Sequence, residues 1–115
     1  MKYAILVYET PEDFADRDDP ARKAAYWRAH AAYFEALAPH RVEGAAALLP
    51  PHAATTLRQR GGSRQVVDGP YADTGEQLGG IYLIDVADLD AVLAWAEKCP
   101  SYRRGAVEVR PLVAR

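Results

Sequence analysis

Three histidines and one cysteine are the side chains here whose ordinary pKa lies closest to neutrality. His30 stands in a segment where apolar residues recur at the helical period. On a wheel of about 100° per residue, Tyr26, Trp27, His30, Ala31, Tyr33, Phe34 and Leu37 gather on one side. An imidazole on that side must find a hydrogen-bond partner or look into a cavity. With a pKa of about 6.5 it suits general acid or base catalysis on a small polar substrate, with a carboxylate to fix its tautomer. The same position also suits a histidine that merely packs between helix and sheet. His40 follows Pro39 and His52 follows Pro50-Pro51, so both read as loop residues. Neither has metal-ligand spacing with the other or with Cys99, and no metal site is expected.

Candidate carboxylates cluster in Asp68-Gly69-Pro70-Tyr71-Ala72-Asp73-Thr74-Gly75-Glu76-Gln77-Leu78-Gly79-Gly80. Asp68-Gly69-Pro70 predicts a sharp turn, since glycine takes positive φ freely and proline fixes the chain behind it. Asp68 there serves as an Asx-type cap or as an acid for His30. Asp73, Glu76 and Gln77 suit turn caps or a polar pocket mouth, with Tyr71 and Tyr33 as aromatic lining or plain core. Gly79-Gly80 opens the next strand without side chains, which lets another backbone or a ligand approach closely.

These residues need elements to hold them. Tyr3 to Tyr8, continuously apolar, predicts a central strand buried on both faces, closed by Glu9-Thr10-Pro11. Thr10 to Pro20 is acidic and carries two prolines, which predicts a solvated loop. A helix then follows from Pro20, capped by Asp18 or Asp19, to about Ala38, where Pro39 removes the donor the next turn needs. Val42 to Leu49 predicts a second strand. Thr55 to Arg60 and Arg64 to Asp68, joined by Gly61-Gly62-Ser63, predict an edge hairpin. Ile81 to Val86 is a further strand, and Asp88 caps a helix whose buried face is Leu89, Val92, Leu93 and Ala96. Pro100 stops that helix, and Val107 and Val109 mark the last strand.

With the hairpin set aside, the order is strand, helix, strand, strand, helix, strand, the split pattern of ferredoxin-like α+β folds. Two helices then cover one sheet face. The other is left bare and apolar, and its simplest cover is the same face of a second copy, so a homodimer is expected. The 115 residues fit one domain, half of them hydrophobic and 26% charged, the balance of a folded chain. A net charge of −2 with scattered arginines argues against nucleic acid. No stretch approaches membrane-spanning length, and the single cysteine excludes an intramolecular disulfide; both point to the cytoplasm. The many Ala and Arg residues hint at a GC-rich bacterial genome. Phosphate loops, dinucleotide glycine patterns, nucleophile elbows and paired-cysteine motifs are absent, so no cofactor is expected.

The stretch Asp68-Gly69-Pro70-Tyr71, continuing through Thr74 and Glu76-Gln77-Leu78-Gly79-Gly80 into Tyr82-Leu83-Ile84, resembles the YCII-related family. More closely it is similar to the subgroup named for an Asp-Gly-Pro-Phe signature. The later Asp88-Leu89-Asp90, Cys99-Pro100 and Val107-Glu108-Val109-Arg110-Pro111 extend the likeness over nearly the whole chain. Tyr71 replaces the usual Phe, and Gly75 stands where a lysine is common. The resemblance implies a ferredoxin-like fold of the dimeric α+β barrel type. It also implies an active site pairing a histidine with an aspartate. His30 matches that histidine, whereas the region Leu48-Leu49-Pro50-Pro51, where the aspartate belongs, holds no acid. Asp68, Asp73 or Glu76 would have to substitute. Two functions follow as expectations. One is a small-molecule enzyme with His30 as acid or base in a pocket between the first helix, the sheet and the Asp68 to Gly80 loop. The other is a non-catalytic dimeric module that binds a ligand or, as implied by proteins it resembles, attends an alternative sigma factor.

Overall fold

The computed structural model describes residues 1–114. A four-stranded antiparallel sheet is built from β1 (Lys2–Glu9), β2 (Arg41–Ala47), β5 (Gln77–Asp85) and β6 (Ala106–Pro111), in the order β2-β5-β1-β6. Helices α2 (Lys23–Ala36) and α3 (Leu89–Glu97) complete the ferredoxin-like arrangement. β3 (Thr55–Arg60) and β4 (Ser63–Asp68) form a separate two-stranded sheet. They were expected as an edge hairpin, but they leave the main sheet and pair only with each other. Their turn is as expected: Gly61 and Gly62 have φ of 56° and 79°, which glycine adopts without Cβ strain.

β1 is central, between β5 and β6, and its side chains alternate as a period of two requires. Tyr3, Ile5 and Val7 are buried against the helices with Tyr33, Leu37, Ile84 and Val92. Ala4, Leu6 and Tyr8 point the other way, level with Leu83, Ile81 and Leu78 of β5, and are only half-buried.

Two helical expectations need correction. Pro11–Asp16, read as loop, is a short helix, α1. Its cause is a capping box: Thr10 Oγ1 accepts from the Asp13 amide at 3.2 Å, and the Asp13 carboxylate accepts from the Thr10 amide at 3.1 Å, with Pro11 in the first turn. The longer helix starts at Lys23, not Pro20, and has no side-chain cap. Asp19 instead turns the chain, accepting from the Ala21 amide at 2.8 Å. The helix α2 meets the sheet along a narrow stripe, Tyr26, His30, Tyr33 and Leu37, while Trp27 and Ala31 are exposed. α3 is capped by Asp88 as expected, but only Val92 and Ala96 are buried; Leu89 and Leu93 face outward.

Candidate active site

Glu9 ends β1 on the same side as Tyr3, Ile5 and Val7, so strand alternation sends its carboxylate under the helices, where it is 1% exposed. An isolated buried charge would cost several kcal/mol, so it must be paired and hydrogen-bonded. Arg17, just past α1, supplies the pair: its Nη2 donates to Glu9 Oε1 at 2.6 Å. Glu9 Oε2 accepts from the Tyr26 hydroxyl at 2.5 Å and from the Ser101 hydroxyl at 3.0 Å. Arg17 also donates to the Tyr26 hydroxyl and to the carbonyls of Gly79 and Leu48. Phe14, Tyr26 and Trp27 surround the guanidinium with their rings, at 4.8 to 5.6 Å.

Gly79 makes this packing feasible. The β1–β5 register shifts between Val7 and Tyr8, which pair with Gly80 and Leu78, so Gly79 is the extra residue of a bulge. A Cβ on Gly79 would lie under 3.0 Å from Glu9 Oε1. The close approach expected at Gly79-Gly80 is therefore real, and what approaches is the buried Glu9–Arg17 pair.

His30 lies one turn beyond Tyr26 on α2, with the two rings 4.4 Å apart. Its Nε2 is 3.9 Å from Glu9 Oε2, an ion-pair distance and too long for a direct hydrogen bond. Burial pushes the imidazole pKa below its ordinary value; Glu9 opposes that shift, Arg17 adds to it and Asp13 opposes it. Burial prevails because Arg17 already neutralises Glu9 at closer range. Burial thus favours the uncharged ring, the form able to accept a proton.

Two cavities meet at His30 and Tyr26. On the sheet side lies a void of about 30 Å³ bounded by Glu9, Arg17, Gly79, Gly80 and Tyr82, room for a water but no substrate. On the outer side a cleft of about 330 Å³ runs between α1, α2 and the 3-10 turn Pro100–Arg103, within the range of small-molecule sites. At its rim Arg104 bridges Asp13 at 2.5 Å and Asp16 at 2.8 Å, with Arg22 3.6 Å from Asp16. The Arg104 guanidinium hydrogen-bonded to Asp16 holds that carboxyl below its usual range.

The other expected site residues fall elsewhere. Asp68 is exposed at the end of β4, and the charges acting on His30 are those of Glu9, Arg17 and Asp13. Tyr33 is a core pin: its hydroxyl donates to the Trp95 carbonyl at 2.9 Å and its ring meets Tyr82 edge to face. Tyr71, Asp73 and Glu76 are exposed, and the Gln77 amide donates to the carbonyls of Ala72 and Thr74, closing its own loop. Tyr71 and Gln77 line a third cleft, of about 660 Å³, together with Tyr8, Leu48, Pro50 and Leu78. The signature loop from Pro70 to Leu78 thus walls a separate cleft, and the loop reaches the void at His30 only through Gly79 and Gly80. Cys99 is buried beside Tyr33 and Tyr82, and burial pushes its thiol up to about 11, which leaves it protonated and unreactive. Among the described residues, no three His, Cys, Asp or Glu side chains are grouped to hold a metal, and no helix is long and apolar enough to cross a membrane.

Glu9 and Arg17 were not anticipated. The available signal was parity: Glu9 continues the odd-numbered series of buried strand residues.

The model of the YCII-related domain matches residues 1–114. An uncharacterised protein of Rhizobium meliloti (strain 1021) is 49% identical over 69 residues, covering 58% of this chain. The match spans about half of that relative's length, 56%. Among solved structures, 5-chloro-2-hydroxyhydroquinone dehydrochlorinase from Burkholderia phenoliruptrix AC1100, in complex with 2,5-dihydroxybenzoquinone, superposes with a TM-score of 0.57 at 18% identity. That alignment covers 98% of this chain and 94% of the other.

Proposed function

We propose, from the premise that this chain belongs to the YCII-related family, that it is a small-molecule enzyme in which His30 moves the proton. The observation that carries this reading is a half-buried imidazole, 3.9 Å from the buried Glu9 carboxylate, between a small void and an open cleft. The substrate occupies the outer cleft, because the inner void of about 30 Å³ falls far below the volume of a small-molecule site. His30 acts as general base toward an acidic hydroxyl or activated C–H, and returns the proton as general acid. Glu9 stabilises the imidazolium that forms, and it is poised to do so because Arg17, Tyr26 and Ser101 hold it in place without further reorganisation. A dehydrochlorinase with the same fold supports the reading, since loss of hydrogen chloride is a reaction class that a base serves.

The test is turnover of a panel of small phenols, quinols and hydroxy acids by wild type and His30→Ala. We expect the variant to lose about 10²–10⁴-fold of the activity on any compound the wild type turns over. Equal rates for the two proteins would contradict the assignment.

The sheet face away from the helices supports the homodimer. Ala4, Leu6, Tyr8, Leu78, Ile81 and Leu83 form a half-buried apolar band, bounded on β6 by the Glu108–Arg110 ion pair. A second copy laid on that band removes it from water on both chains at once, the isologous solution.

A further inference from the structure

The hairpin of β3 and β4 has little holding it to its own protomer. Its ties are at the base, where the Thr56 hydroxyl donates to the Gly69 carbonyl at 2.8 Å and the Gly69 amide to Ala54 at 2.7 Å. Beyond that base the strands hydrogen-bond only each other, with Arg58 over the Tyr71 ring at 5.1 Å as a further tie; every residue of β4 is exposed, and Leu57, Val66 and Val67 are 62%, 54% and 51% exposed. The arm lengthens the molecule: its radius of gyration is 15.7 Å, against about 13 Å for a compact domain of similar length. A lone two-stranded hairpin is at best marginally stable in water, so this one calls for a cover.

Two features of the arm say what that cover is. Leu57 and Val66 are directly paired, placing two exposed apolar side chains on one face. Arg58, Arg60 and Arg64 give the arm three positive charges, and no acid occurs from Thr55 to Val67. The cleft of about 660 Å³ offers the complement. Its floor is apolar, from Tyr8, Leu48, Pro50 and Leu78, and Asp68, Asp73 and Glu76 stand exposed beside the residues that line it. Among the described residues none of these six charges has an ion-pair partner. The arm cannot fill its own cleft. Thr55 and Thr56 at its base already form the wall, and the tip stands about five residues, roughly 16 Å, further out along straight strands.

We infer that the arms are exchanged between two copies of this chain, each lying in the acid-rimmed apolar cleft of the other. The inference rests on the pairing of open sheet faces proposed above, because Tyr8 and Leu78 belong to both surfaces and make the cleft continuous with that face. Exchange buries Leu57 and Val66, sets Arg60 and Arg64 against Asp73 and Glu76, and makes each cleft a product of two subunits.

Sedimentation equilibrium and amide hydrogen exchange test this on the full chain. We expect wild type to be a dimer with slowed exchange along Thr55–Asp68. The exposed pair Arg60→Glu and Arg64→Glu should raise the dimer dissociation constant at least tenfold and release those amides. Mixing it with a chain carrying Asp73→Lys and Glu76→Lys should restore tight pairing. A Leu6→Arg variant, folded by circular dichroism, should be monomeric. If Leu6→Arg is monomeric while arm reversal leaves the dimer unchanged and the arm amides exchange freely in wild type, arm exchange is overturned and the sheet pairing stands; the arm is then free for an acidic protein. If Leu6→Arg stays dimeric, the sheet pairing and the exchange built on it are both overturned. A monomeric wild type overturns both.

Discussion

Around Glu9, the charged and polar groups are buried and nearly every one is matched to a partner. Along the arm and its cleft, Arg60, Arg64 and three acids stand exposed without ion-pair partners beside bare leucine and valine, and Arg58 is half-buried over the Tyr71 ring. The same chain thus treats charge in two ways. In the first region the arrangement is complete within one protomer and holds a single imidazole in a low-dielectric setting, where a fixed carboxylate acts strongly on it. In the second region the charges sit in water, where each is worth little until something covers it. The contrast separates a preorganised chemical site from a surface organised for assembly.

The sharpest way to break the contrast is Arg17→Met. It leaves Glu9 as an uncompensated buried charge and should cost about 3–5 kcal/mol, read as a lowered denaturant midpoint. A loss below 1 kcal/mol would mean that the buried pair is no more coupled than a surface one. Gly79→Ala acts on the same region through sterics. Its methyl group meets the Glu9 carboxylate, so we expect about 1–3 kcal/mol of destabilisation, together with a changed His30 environment visible by NMR. In the arm, by contrast, Leu57→Ser at dilutions where the chain is monomeric should change stability by no more than about 0.5 kcal/mol, because the side chain is already in water. A large loss there would place Leu57 in a protomer core and erase the distinction.

Local chemistry made much of the fold legible. β1 announced itself by an unbroken apolar run, the hairpin by Gly61-Gly62, and α3 by Asp88, because each signal acts within a few residues. That same unbroken run predicted burial on both faces of β1, whereas in the protomer only its odd-numbered residues are buried and the even ones from Ala4 to Tyr8 are half-buried. The helix α1 was also signalled, by Thr10, Pro11 and Asp13 at capping-box spacing, yet the acidic composition of that stretch pointed to solvent. Burial of Asp13 and Arg17 came from tertiary partners, which no local pattern contains. The exposure of Leu89 and Leu93 has the same origin: periodicity sets which side chains share a helix side, while only packing decides how wide a stripe is covered.

For the site, His30 was legible because an imidazole interrupts an apolar stripe. Its acid was not. Carboxylates are concentrated in the signature loop, whereas Glu9 is a lone charged residue at a strand end whose parity alone placed it inside. Gly79 was singled out correctly as a point of close approach, but what approaches it is fixed by a bulge in register that only the sheet reveals.

The proposed chemistry depends on the state of His30, and an NMR pH titration of its imidazole in wild type and Glu9→Gln reads that state directly. Because burial outweighs the pull of Glu9, we predict a wild-type midpoint below 6.5, and a further downward shift when Glu9 loses its charge. Titration at or above 6.5 would show that burial does not govern the imidazole, and a midpoint that Glu9→Gln leaves unmoved would show that the ring is not coupled to the buried carboxylate.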